Sequence, residues 1–173
     1  MPETIGGVPT HPLIVHIPVV MVPLALIAVI AYFFVPGWRR PLVWVAGALS
    51  AGGALGAVLA ASSGESLRER VRETNALEDH AEMGETARLL AFIFFLIVVA
   101  LVVYQEVRSR RGDGEGEGSP PEPGKLVALA THRLMYPLLV VLLLISGGAA
   151  VWSLAAAGHA GAKITWEKVG QSP

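Results

Sequence analysis

Residues 134–157 read LMYPLLVVLLLISGGAAVWSLAAA, from Leu134 to Ala157, without one charged side chain. About 20 helical residues, at about 1.5 Å each, cross a hydrocarbon core of about 30 Å. This stretch is long enough. It is also apolar on every side, whereas a surface helix of a water-soluble domain keeps a polar face. Three stretches of the same kind lie upstream. Leu13 to Val35 holds one ionisable group, His16. Leu42 to Ala61 holds no charge. Gly84 to Tyr104 is charged only near its start, at Glu85 and Arg88. The sequence therefore predicts an all-α integral membrane four-helix bundle with spans about 13–35, 42–61, 84–104 and 134–157.

Composition points the same way. Of 173 residues, 53% are apolar and 16% are charged, against about 25% charged in an ordinary soluble domain. Mean hydropathy is +0.57. The segments between spans are too short for a second core, so residues 1–173 read as a single transmembrane domain. The formal charge of −1 gives no footprint for nucleic acid. The absence of cysteine excludes disulfides, thioether-linked haem, thiolate-held iron–sulfur clusters and a thiol nucleophile. No HExxH, GxSxG, Walker loop or dinucleotide fingerprint occurs, so a binding module is expected rather than an enzyme. Before the first span stand Glu3 and no Lys or Arg. That span reads as a true span, not a cleaved leader.

Four spans return both termini to one face. The opposite face carries Arg39, Arg40, Arg108, Arg110, Arg111, Lys125 and Arg133, most of them close to a span end. The positive-inside rule puts this basic face in the cytoplasm and the termini outside. The turn around Pro36-Gly37 makes a hairpin of the first two helices. Residues 109–124, SRRGDGEGEGSPPEPG, read as a disordered cytoplasmic linker. Between spans two and three, Leu67, Val71 and Leu77 fall on a rough helical stripe, which predicts a solvated helical connector. Asn75 with Glu78 three residues later resembles a capping box. It starts the third helix near Ala76, with His80 about one turn inside. Gly52 and Gly56 form a GxxxG spacing, expected to close helices within one bundle. Pro18 and Pro23 should kink the first helix and free the carbonyls of Ile14 and Val19.

The histidines carry the only chemistry on offer. His11, His16, His80 and His159 map to the face of the termini, and His132 to the other. An ionisable group within a span is a functional hypothesis by default. Imidazoles from facing helices suit haem b, which needs two axial nitrogens. They also suit a Zn or Cu site of three or four nitrogens, with Glu82 or Glu85 as possible additions. His11 and His16 are five apart, about 140° around a helix. That favours haem over a compact four-histidine metal site. His16 with His80 is the expected axial pair, with His159 as substitute. The alternatives are histidines that only bond to backbone and water, in a cofactor-free structural or regulatory subunit, or a Zn/Cu-handling membrane protein.

The opening stretch Thr10-His11-Pro12-Leu13-Ile14-Val15-His16-Ile17-Pro18 closely resembles the HPxxVHFP signature of a bacterial four-helix membrane family, domain of unknown function 2231. The family's later positions, a Gly with an acidic residue, a His at the head of helix three and a His–Gly near the end of helix four, resemble Gly64-Glu65, His80 and His159 here. Ile17 stands where Phe is usual, and Ala160 separates His159 from Gly161. The resemblance covers about residues 6 to 166. It implies the bacterial plasma membrane and points to His11, His16, His80 and His159. Some relatives are joined to Rieske or cytochrome-type domains, which implies an electron-transfer setting. In that setting His16 and His80 would hold haem b near the outer face, and His11 and His159 would ligate or support it. Electrons would pass between quinone or a redox membrane partner and an outer-face carrier.

Overall fold

The computed structural model describes residues 4–68, 74–112 and 134–169. The chain enters through a two-residue antiparallel ladder, β1 (Thr4–Ile5) against β2 (Val8–Pro9). Gly6 and Gly7 turn it at φ 59° and 83°, a region that residues with a Cβ avoid. A short helix α1 (Thr10–Ile14) and the long α2 (His16–Phe34) follow, parted at Val15. Pro18 accounts for the break. It has no N–H to offer the Ile14 carbonyl, and its ring crowds that oxygen. Pro23 is carried inside α2.

A single turn at Pro36–Trp38 leads into α3 (Arg39–Arg68). Then come α4 (Asn75–Gly112) and α5 (Met135–Val169). The Thr10–Phe34 segment, α3, α4 and α5 are each long and apolar enough to cross a membrane. They run past the expected spans. The 38 residues of α4 correspond to about 57 Å of helix. The expected connector over 62–83 is mostly consumed by helix ends. Leu67 lies in the last turn of α3 and Leu77 in the first turns of α4, while Val71 lies outside the described residues. Once past the lipid, a helix needs only polar company and a cap, so hydropathy does not mark its end.

Thr74 supplies that cap for α4. Its Oγ1 accepts the Leu77 N–H at 3.3 Å, and its carbonyl accepts Leu77 and Glu78. The cap therefore stands one residue before Asn75. At its far end α4 runs on through Ser109 to Gly112. The rest of the expected linker, 113–124, and His132 lie outside the described residues.

The helices form a ring in which α2 packs on α3, α3 on α4, α4 on α5, and α5 closes on α2. Val22, Ala25, Phe94, Val98, Leu143 and Ala150 lie in the core. Large apolar side chains face outward: Leu55 and Ile145 are 66% and 65% exposed. Many small residues inside and large apolar ones outside is an arrangement that lipid tolerates and water does not, because association in lipid rests on close packing. The Gly52 and Gly56 spacing works within the chain. A Cβ on Gly56 would come 2.6 Å from Cγ2 of Ile17, and one on the adjacent Gly53 would come 2.6 Å from Cγ2 of Val22. Trp38 and Trp44 are exposed at one end and Trp166 at the other, as interfacial aromatics are.

Candidate functional site

Two of the four expected histidines meet. His11 belongs to α1, whose direction is set by the break at Val15 rather than by α2. Its Nδ1–H donates to the Ala60 carbonyl of α3 at 2.9 Å and lies 3.2 Å from Ser63 Oγ. Ser63 itself donates to the same carbonyl at 2.9 Å. His80, in the second turn of α4, donates from Nδ1 to the Ala157 carbonyl of α5 at 3.1 Å. The two rings meet edge to face, with centres 6.3 Å apart and planes at 81°.

These bonds place one hydrogen on each ring. A carbonyl can only accept, so each Nδ1 carries a hydrogen. Neither Nε2 has a hydrogen-bond partner among the described residues. A carbonyl behind one nitrogen orients the ring, as it does for metal-ligating histidines.

Each ring also lies on a glycine. A Cβ on Gly64 would be 3.1 Å from Cε1 of His11, and one on Gly161 would be 2.9 Å from Cε1 of His80. Ala60, Ser63 and Ala157 were not singled out by the sequence, because a backbone acceptor leaves no trace in residue type. The glycines did leave a trace, in Gly64-Glu65 and in Gly161 two residues after His159.

The other two histidines stand apart from this contact. His16 is exposed, and its Nδ1–H donates to the Pro12 carbonyl of its own chain segment at 2.7 Å. His159 is exposed on α5. The expected partner of His80 was His16; the ring against His80 is that of His11. The two lie on separate helical segments parted at Val15, and His11 is the one that bonds across to α3.

No group of three or more His, Cys, Asp or Glu able to hold a metal ion occurs among the described residues. Glu85 forms an ion pair with Arg88. A cleft of about 450 Å³ lies between α3 and α4, lined by Val58, Glu85, Thr86, Arg88, Leu89 and Phe92. No histidine lines it, so it is separate from the pair.

At the opposite end the helices are joined by aromatic groups. Tyr32 donates to Gln105 Oε1 at 2.7 Å. Tyr136 stands against Phe33 and Tyr104, each pair of rings 6.0 Å apart. Arg39 lies over the Tyr32 ring, and Arg40 pairs with Glu106 at 3.7 Å.

The sequence model of the family described as "Predicted membrane protein (DUF2231)" matches residues 7–172. That range runs from the turn of the N-terminal ladder to past the end of α5. No curated protein and no solved structure matches the chain.

Proposed function

The chain belongs to the DUF2231 family of predicted membrane proteins, and we propose that it is an electron-transfer module that holds haem b at its histidine end. In this reading His11 and His80 would hold it. The observation that carries it is the pair of adjacent imidazoles, each with Nδ1 committed to a carbonyl on another helix and Nε2 without a hydrogen bond among the described residues. Two nitrogens from separate elements in an otherwise apolar bundle are donors of the kind haem b takes; the rings, now in edge-to-face contact, would have to part to admit it. When bound, haem would supply a one-electron carrier. The carbonyls of Ala60 and Ala157 orient the two rings. His16 and His159 are left outside the ligand pair, available to a partner at the surface. The basic end with Arg39, Arg40, Arg108 and Arg110 supports a cytoplasmic position for that end and an outer position for the histidines. The redox partners would be quinone or a membrane protein on one side of the exchange and an outer-face carrier on the other.

A second reading has its own support. The rings touch each other directly, and every imidazole named here except His159 has a carbonyl to bond. A cofactor-free subunit in which the pair clamps helices together uses the same contacts.

The absorption spectrum of protein purified in mild detergent, oxidised and dithionite-reduced, separates the two. Haem b gives a Soret band and sharp α and β bands on reduction, both lost in His11→Ala and His80→Ala. A flat spectrum from protein made with ample haem would overturn the haem reading. Elemental analysis of that sample then distinguishes a Zn or Cu site from the clamp.

A further inference from the structure

Four guanidiniums gather at the end of the bundle away from the histidines. Arg39 and Arg40 open α3, and Arg108 and Arg110 lie in the last turns of α4. Arg39 is held over the Tyr32 ring, 5.7 Å from its centre, and its Nε donates to the Tyr32 carbonyl at 3.4 Å. Arg108 donates to the Tyr104 hydroxyl at 3.2 Å. Arg40 and Arg110 come from two different helices to one atom, Oε1 of Glu106, at 3.7 and 3.3 Å. Among the described residues, Glu106 is the only carboxylate that any of the four meets.

Anchoring a span end needs positive charge near the boundary. It does not need two guanidiniums on one oxygen, where each repels the other. One carboxylate balances one of them, and the second has no counter-ion among the described residues. Arg40 and Arg110 are 62% and 79% exposed, so an anion outside the chain can reach both.

Their depth says which anion. Arg40 stands two residues before the second apolar stretch and Arg110 six after the third, or about 3 Å and about 9 Å of helix beyond the hydrocarbon. The headgroup layer there is about 5–8 Å thick. Next to it, both helices turn apolar faces outward. Exposed Trp44 lies one turn from Arg40 on the same side of α3. Exposed Val103, Val99 and Leu96 stand 7, 11 and 14 residues before Arg110, on one face of α4. A phosphodiester has two free oxygens, each able to accept from a guanidinium, and its acyl chains would lie along these faces. A free anion in solution would meet the charge and leave the apolar faces unused.

We propose that the arginine end of the α3–α4 contact binds the headgroup of an anionic phospholipid, with Arg40 and Arg110 on the phosphate and Arg39 and Arg108 adding to the field.

The test uses the full-length chain with Trp38→Phe, Trp152→Phe and Trp166→Phe, all exposed positions, which leaves Trp44 as the one emitter. Its quenching is measured in phosphatidylcholine vesicles that contain brominated phosphatidylglycerol or, at equal bromine content, brominated phosphatidylcholine. The expected preference for phosphatidylglycerol is at least about fivefold in association, what one guanidinium close to an anionic surface supplies. Arg40→Gln and Arg110→Gln should each lower it, and the double variant should leave less than about twofold. Glu106→Gln removes the competing carboxylate and should raise it. Arg88→Gln, at the histidine end, should leave it unchanged. Circular dichroism checks that each variant keeps its helices. Equal quenching by the two lipids overturns the proposal, as does a preference that survives the double variant, falls in Glu106→Gln or is lost in Arg88→Gln. Inorganic phosphate should displace no more lipid than chloride at the same ionic strength. A preference abolished by phosphate alone would assign the arginines to a free anion and overturn the lipid.

Discussion

A methyl group added at Gly161 would sit 2.9 Å from Cε1 of His80, whose Nδ1 is tied to the neighbouring turn of the same helix. The ring cannot yield without stretching that bond. Gly161→Ala is therefore expected to destabilise the protein by about 1–3 kcal/mol, the usual range for overpacking, read as a lowered unfolding temperature in detergent. Gly64→Ala, with 3.1 Å to His11, should cost less. Thr74→Ala removes the side-chain acceptor of the Leu77 N–H and should cost about 1 kcal/mol, while Thr74→Ser should cost little. Faster hydrogen exchange at Leu77 would report the lost cap. At this scale the sequence paired His80 with His16, whereas the ring in contact with His80 is that of His11. Hydropathy says that His11 and His16 lie near a boundary, and says nothing of how the helix is rotated. The break that Pro18 forces at Val15 sets that rotation, and it follows from one missing N–H.

Adjacent glycines on α5 put the packing of elements to the test. A Cβ on Gly147 would come 2.7 Å from Leu26 and 2.9 Å from Phe94, whereas Gly148 has nothing within 4 Å. Alanine at Gly147 should wedge α5 away from α2 and α4, at about 1–3 kcal/mol. Alanine at Gly148 should be neutral or stabilising by up to about 1 kcal/mol, from helix propensity. Opposite signs in the two unfolding temperatures would confirm the interface; equal losses would contradict it. The spans themselves were legible, because lipid obliges every backbone group to bond within its own helix and so demands long apolar runs. The helix ends were not. Arg68 closes α3 and Thr74 caps α4 in a region where no such demand applies. The Gly52 and Gly56 spacing was legible as a contact, and Ile17 and Met21 identify α2 as the surface it meets.

For the molecule as a whole, the ring of helices brings the N-terminal ladder and the end of α5 to one side and the Pro36–Trp38 turn to the other. The chain has no cysteine, so single replacements report topology directly. Thr4→Cys and Ala162→Cys should react with an impermeant maleimide from the same side of the membrane, and Gly37→Cys only from the opposite one. Labelling of all three from one side would contradict the bundle. The order of spans and the class of fold follow from composition and run length alone. The closing contact between α5 and α2 does not, because it depends on Gly147 meeting Leu26, which are far apart in the chain.

The histidines stand at one end of this ring, and that position has an electrical consequence. His80 precedes Gly84, where the third apolar stretch begins, by four residues, or about 6 Å of helix. A unit charge carried across the whole membrane gains or loses about 2.3 kcal/mol per 100 mV. A charge that reaches the imidazoles from their own side and leaves by the same side traverses almost none of that drop. A centre held there would keep the same midpoint whether the membrane is polarised or not, and redox titration in vesicles with and without an imposed diffusion potential should give superimposable curves. A midpoint that moves with the voltage would mean the charge arrives through the bundle from the arginine end. The protein would then work across the membrane; with superimposable curves it works along one surface, indifferent to the voltage that its neighbours maintain.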